Sequence, residues 1–204
     1  MKNKILKTLL ILAALLPVIR WSQDGISSIL IFSVFVLILL WSGLRLTLAK
    51  LPLPLGLAYI FWGVVFGGLT QWFVQIEGFE KSFSQNPIHH FIQALTIYFW
   101  VVVAWYYMLK KYDFSSWAVF WVTGLWGVLF EGILLYGAFN PLIWLFIFMV
   151  YGSFSTIPFL LTQDQLAALP RPMPNSKNYA TMFALLGLAW VMANITIYFI
   201  GKIV

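Results

Sequence analysis

Long apolar stretches alternate with short polar segments along almost the whole chain. Seven of these stretches reach or approach the length of about 20 residues that a helix needs to cross a bilayer. The pattern therefore predicts an all-α fold, a polytopic integral membrane bundle of seven transmembrane helices that forms one domain over residues 1–204. The predicted spans cover roughly 5–19, 26–48, 54–76, 89–109, 116–138, 141–162 and 179–202.

The first stretch also fits a signal peptide, because lysines precede a short apolar run. The segment 15–19 offers no small-x-small cleavage site, which favours an uncleaved first helix that ends near Pro17. Removal of this stretch would leave six spans and would not change the orientation of the others.

Basic residues predict the orientation, because Lys and Arg concentrate in the cytoplasmic segments of membrane proteins. With a cytoplasmic N-terminus, nine basic residues fall inside and three outside. This bias predicts a multi-pass protein, placed in the cell (inner) membrane if the source is bacterial. The inner set is Lys2, Lys4, Lys7, Arg45, Lys50, Lys110, Lys111, Arg171 and Lys177, and the outer set is Arg20, Lys81 and Lys202.

Composition supports this interpretation and excludes other classes of protein. Hydrophobic residues make up 62% of the chain and charged residues 9%, whereas soluble domains have about 45–50% and about 25%. The net charge of +6 lies at the ends of apolar segments, so it indicates contact with anionic headgroups and not with nucleic acid. The absence of cysteine excludes thiol chemistry, and two histidines are too few for a multi-histidine metal enzyme. No cofactor is indicated.

Glu131 is the first functional candidate, since it is the only acid within a predicted span and acids are costly at membrane depth. Gly124 and Gly127 precede it by about two turns and one turn on one helix face. Small residues allow helices to approach closely, so we expect this face to point into the bundle. Burial disfavours the charged form of a carboxyl, and a protonated Glu131 fits such a setting.

Amides and histidines fall at a similar predicted depth, in the outer half of the bundle or at its rim. They are His89, His90, Gln71, Gln75, Gln93 and Asn194. Trp190 shares a face of the last predicted helix with Asn194 and is a further candidate for substrate binding. Together with Glu131 these residues predict an outer-facing polar pocket, although the sequence does not show which of them are neighbours. The amides could also serve only as hydrogen-bonding groups between helices, and the histidines could simply lie in the headgroup region.

Three functional hypotheses follow from this pocket. A carboxyl and a histidine can work as acid and base, so an intramembrane enzyme could use Glu131 with His89 or His90. A proton-coupled transporter of a small solute is the second hypothesis, because a protonatable carboxyl lies among inward amides. The third, which we favour, is a protein that binds a lipid, an isoprenoid or a membrane-protein partner in the bilayer, with catalysis left open.

The segment Phe130-Glu131-Gly132-Ile133-Leu134-Leu135-Tyr136-Gly137 resembles the first motif of the CPBP intramembrane proteases, the CAAX-protease and bacteriocin-processing family. Glu131 matches the first of two adjacent glutamates in that motif, and Gly137 matches a glycine that often follows it. Gly132 stands in place of the second glutamate and Tyr136 in place of the arginine.

The order of two later motifs is also similar. Phe154 matches the start of the family's second motif, but Pro158 replaces its histidine. Asn194 matches the end of the last motif, and Trp190 replaces the histidine there. The resemblance covers residues 130–194 and implies a relative that has lost the water-activating chemistry and binds or regulates a membrane partner.

Overall fold

A computed structural model describes residues 42–76, 87–135 and 141–200. These ranges are helical and contain no strand, which confirms the all-α fold class. The fourth helix continues without a break into a π-helical segment. The elements are α1 (Ser42–Ala49), α2 (Leu55–Ile76), α3 (Pro87–Lys111), α4 (Ser116–Gly127), the π-helical segment (Val128–Leu135), α5 (Pro141–Leu161), α6 (Gln163–Ala167) and α7 (Ser176–Ile200).

The long helices coincide with the last five predicted spans, with small shifts at their ends. Two stretches within them, Phe91–Lys111 and Ser176–Phe199, are long and apolar enough to cross a membrane. Shorter apolar stretches lie in α2, α4 and α5. The predicted span 5–19 and most of 26–48 lie outside the described residues, so the seven-span architecture stays a prediction.

Neighbouring long helices run antiparallel around a shared core. α2 packs against α3 and α5, α3 packs against α7, and α5 packs against α4. We call the upper end the one where α2 and α7 finish and where α3 and α5 begin. The opposite, lower end carries the connections from α1 to α2, from α3 to α4, and from α5 through α6 to α7.

Glycines set the closest helix contacts. A Cβ atom built on Gly63 of α2 would overlap a methyl carbon of Val102 on α3, and one on Gly67 would lie 2.6 Å from the ring of Tyr98. Gly124 and Gly127 of α4 are buried against α5 in the same way. The prediction that the face of Gly124 and Gly127 packs closely inside the bundle is confirmed.

The lower end is fastened by Arg171, whose side chain is only 4% exposed. Its guanidinium donates to the backbone oxygen of Leu109 at 2.6 Å and to a carboxylate oxygen of Asp113 at 2.8 Å. The backbone nitrogen of Asp113 donates in return to the carbonyl oxygen of Pro172 at 2.9 Å. The loop before α7 is therefore held on the C-terminal end of α3, where a cation also meets the negative end of the helix dipole.

Charged residues collect at the lower end in the part of the chain that the structure describes, where Asp113 and Asp164 also lie. Its six Lys and Arg residues all lie at or near this end. They are Arg45, Lys50, Lys110, Lys111, Arg171 and Lys177.

Candidate functional site

The candidate residues belong to the upper part of the bundle. Gln71 and Gln75 lie in the last six residues of α2, and Asn194 lies in the last seven of α7. His89 and His90 lie in the first turn of α3, with Gln93 one turn further along. The side chains of Gln75, His89, His90 and Glu131 lie outside the described part of the structure.

Gln71 is the candidate amide that the structure places most clearly inside the bundle. Its side chain is 4% exposed, and its Oε1 atom accepts a hydrogen bond from the Tyr98 hydroxyl of α3 at 3.3 Å. This hydrogen bond joins α2 to α3. A buried amide needs a hydrogen-bond partner within the protein, and Tyr98 supplies it. Gln71 thus has the structural role that sequence alone left open for it.

Glu131 lies in the π-helical segment, and this changes the register expected from an α-helix. The turn of a π-helix is wider, with hydrogen bonds from residue i to i+5. Gly132, five residues after Gly127, is buried and faces α5, where a Cβ atom would lie 3.3 Å from Ile147 and Trp144. The row of glycines that faces α5 therefore continues at Gly132. The α-helical spacing from Gly127 would instead have placed Glu131, one residue earlier, on this face.

Phe130 marks the side of the segment that faces α7. Its ring lies 6.3 Å from the ring of Trp190, and a Cβ atom on Gly187 would lie 3.6 Å from its Cζ atom. The candidate Trp190 is thus adjacent to the residue that precedes Glu131. The segments that hold Glu131 and Trp190 are therefore in contact.

A continuous line of aromatic rings connects this contact to Gln71. The centroids of successive rings lie between 4.7 and 6.3 Å apart, within the usual range for aromatic pairs. The line crosses the bundle from α3 through α5 and α4 to α7. Its members in order are Tyr98, Phe154, Tyr151, Trp126, Phe130 and Trp190.

Trp126 is the member of this line with unused hydrogen-bonding capacity. Its side chain is 1% exposed, it stacks on Phe130 at 5.0 Å, and its indole N–H has no hydrogen-bond partner. A buried donor without a partner is uncommon in native proteins and calls for an explanation such as a ligand.

Sequence reasoning missed Trp126 and Tyr98. Eleven tryptophans and nine tyrosines are spread over the chain, so the sequence gives no signal for any one of them.

Asn194 differs from Gln71 in its surroundings. It is exposed, and its side-chain nitrogen donates to the backbone oxygen of Trp190 at 2.8 Å, within α7 itself. Together with Trp190 it lines a shallow groove along the outer face of this helix. Gln93 is partly buried on α3. The structure therefore brings Trp190 to the Glu131 segment and leaves Asn194 on the bundle surface.

Within the described ranges there is no group of three or more His, Asp or Glu side chains that could hold a metal ion. No protein-family model, curated protein or solved structure matches this chain.

Proposed function

We propose that the chain is a multi-pass protein of the cell membrane, with seven spans and a cytoplasmic N-terminus. In this arrangement the basic lower end faces the cytoplasm and the upper end faces outside. We propose further that it binds a lipid or isoprenoid molecule at a polar site in the upper half, around Glu131, Trp126 and Trp190. The observation that carries this proposal is the unpaired indole N–H of Trp126, buried beside the segment that holds Glu131.

Helix register supports an interior position for Glu131. Leu125 and Leu129 are 46% and 42% exposed, so they mark the side of the helix that faces away from the bundle. Phe130 contacts α7 and Gly132 contacts α5, and these two helices flank the opposite side. The backbone of residue 131 falls between them on the helix circumference. An acid at membrane depth is costly, and its presence is therefore a reason to propose a functional role.

The contact of Phe130, in the π-helical segment that continues α4, with Trp190 of α7 is the seam between these helices, and it supplies a route from the lipid phase. α7 packs mainly on α3, and at this depth the ring contact between Phe130 and Trp190 joins it to the π-helical segment. Two aromatic rings can separate by rotation of their side chains, whereas packed backbones cannot. A ligand that enters here would meet the indole N–H of Trp126 as a donor, beside the segment that holds Glu131.

Binding is favoured over hydrolysis for this site. The segments that resemble the CPBP motifs lie on the π-helical segment, α5 and α7, and Phe130 of the first segment contacts Trp190 of the last. Pro158 and Trp190 stand where the family has histidines, and neither side chain can transfer a proton. The resemblance is therefore consistent with a relative that retains a membrane ligand or partner without cleaving it.

The test is mass spectrometry of the molecules that co-purify with the protein in mild detergent. Trp126→Phe removes the indole donor and keeps an aromatic ring, and Glu131→Gln removes the acid. Trp121→Phe, on the exposed side of α4, and Asp164→Asn, at the lower end, are matched controls. We expect a lipid-like molecule to be enriched with wild type and both controls, and to be reduced in Trp126→Phe and Glu131→Gln.

Two outcomes would contradict the proposal. A protein partner retained by all variants would indicate a scaffold and would leave Glu131 a structural acid. The absence of any specific molecule from wild type would remove the support for a ligand site.

A further inference from the structure

Trp126 lies close to the middle of the proposed membrane span. α4 begins at Ser116, shortly after the two lysines that end α3, so its first residue lies at the lower membrane surface of the proposed arrangement. Trp126 follows Ser116 by ten residues, which corresponds to about 15 Å along the helix at 1.5 Å per residue. The hydrocarbon layer is about 30 Å thick. The unpaired indole N–H is therefore about equally far from the two membrane surfaces.

Neither the structure nor the predicted spans place a cation at this depth. The six Lys and Arg residues in the described ranges are all at or near the lower end. The other six lie at the ends of predicted spans or in the polar segments between them, and they are Lys2, Lys4, Lys7, Arg20, Lys81 and Lys202. An anionic headgroup beside Trp126 would lose its hydration without gaining a counter-charge, which is strongly unfavourable. The polar group of a ligand at this N–H should therefore be uncharged.

The chemistry of the indole narrows the ligand group further. An indole N–H is a donor and offers no acceptor site. A carbonyl oxygen accepts such a hydrogen bond and has no hydrogen of its own, whereas an alcohol brings a hydroxyl hydrogen that needs an acceptor at a depth without water. The carbonyl oxygens of a phospholipid lie in the interfacial region, outside the hydrocarbon layer. A carbonyl at the middle of the bilayer belongs instead to a molecule without a charged headgroup.

Aromatic rings surround the Trp126 indole. Its ring stacks on Phe130 with 5.0 Å between centroids, and the ring of Tyr151 meets it edge-on at 5.7 Å. Trp190 lies beyond Phe130, with 6.3 Å between their centroids. A planar unsaturated ring makes stacked and edge-to-face contacts with such side chains, which a saturated acyl chain cannot make.

We infer that the ligand is a neutral isoprenoid whose ring carries a carbonyl oxygen, which is the chemistry of a quinone. The carbonyl oxygen accepts the hydrogen bond from the Trp126 indole, and the ring lies among the neighbouring aromatic side chains. The inference rests on the proposed function and names the class of ligand that the same site takes. It excludes phospholipids and isoprenoid phosphates as the molecule that meets this N–H.

Three probes with the same isoprenoid tail test the ligand class. Geranyl-benzoquinone has a ring with carbonyl oxygens, geranylbenzene has the ring alone, and geranyl diphosphate has a charged head. Binding to the full-length protein is measured in phosphatidylcholine nanodiscs, with empty nanodiscs as background. We expect the benzoquinone to bind about fivefold more tightly than geranylbenzene, the factor that corresponds to about 1 kcal/mol for one hydrogen bond. Geranyl diphosphate should show no saturable binding.

Trp126→Phe should abolish the preference for the benzoquinone over geranylbenzene, because it removes the donor and keeps an aromatic ring. Trp121→Phe, on the exposed side of α4, should keep this preference. The preference is a ratio of affinities within one variant, so a smaller folded fraction does not change it. An undiminished preference in Trp126→Phe, or tighter binding of geranyl diphosphate than of the benzoquinone, would overturn the inference.

Failure of this ligand class can be told apart from failure of the ligand site. If none of the probes binds while mass spectrometry still finds a molecule that depends on Trp126, the quinone assignment is wrong and the proposed function stands. If wild type also retains no such molecule, both the assignment and the proposed function are wrong.

Discussion

The indole nitrogen of Trp105 donates to the hydroxyl of Thr123 at 2.7 Å, and this bond joins α3 to α4 inside the core. Both side chains have essentially no exposed surface. The Thr123 hydroxyl also donates to the backbone oxygen of Val119, so its donor and one acceptor site are both in use. The bond adds a polar contact between α3 and α4, whose main packing partner is α5.

Thr123→Val should therefore destabilise the protein although it hardly changes the side-chain volume. The variant leaves the indole N–H of Trp105 buried without a partner, which costs about 1–3 kcal/mol. Thermal unfolding in detergent measures the effect. Thr181→Val is the control, because its hydroxyl is exposed and bonds only within its own helix. Equal stability of the two variants would contradict a structural role for the Trp105–Thr123 bond.

Gly63→Ala should lower stability by about 1–3 kcal/mol, because the new methyl group would overlap Val102. Gly187→Ala should be neutral or stabilising by up to about 1 kcal/mol, since the nearest atom is 3.6 Å away and alanine favours a helix. The addition of Val102→Ala should restore part of the loss in Gly63→Ala. Failure of this rescue would argue against a direct contact between these residues.

Arg171→Gln should loosen the lower end of the bundle. Hydrogen bonds to a charged group contribute about 1.5–3 kcal/mol, and the guanidinium bonds both the Leu109 carbonyl and Asp113. Asp113→Asn should cost less, below about 1 kcal/mol, because the Asp113 side chain is half exposed and screened by water. Chemical denaturation ranks the two variants, and limited proteolysis reports the loop before α7. A larger effect of Asp113→Asn would contradict this account.

Ser153→Ala should leave stability unchanged or raise it by up to about 1 kcal/mol. The Ser153 hydroxyl is buried on α5 and makes no hydrogen bond, so its removal takes away a desolvated group without breaking a contact. The same holds for Ser155→Ala. Thermal unfolding compares both variants with wild type. A clear loss of stability would mean that the hydroxyl bonds a molecule outside the protein chain.

The sequence was a good guide to the helices and to their close contacts. Long apolar runs specify helices because every backbone polar group must be satisfied within the segment, and the runs match the bounds of α2, α3, α5 and α7 closely. The spacing of Gly124 and Gly127 predicted the tight face of α4, since a missing side chain has the same effect in any helix that packs closely.

The site was predicted less well, for two physical reasons. The spacing from Gly127 to Glu131 assumed an α-helix, whereas the π-helical segment moves the α5-facing position to Gly132. Partners across the bundle depend on how helices pack, so neither the bond from Tyr98 to Gln71 nor the contact of Phe130 with Trp190 could be derived from spacing. Asn194 was expected in a pocket, but periodicity alone could not distinguish an inward from an outward position on α7.

The π-helical segment also affects the height of the bundle. Its wider turn advances less along the axis for each residue, so Ser116–Leu135 covers less than the approximately 30 Å of a 20-residue α-helix. α3 and α7 have 25 residues each and reach about 37 Å. In the proposed membrane arrangement, the described part of this span is shorter than α3 and α7, and the difference would create a hydrophobic mismatch beside it. The bilayer would then be thinner next to the ring contact of Phe130 with Trp190, and a lipid headgroup would have less distance to travel to the segment that holds Glu131.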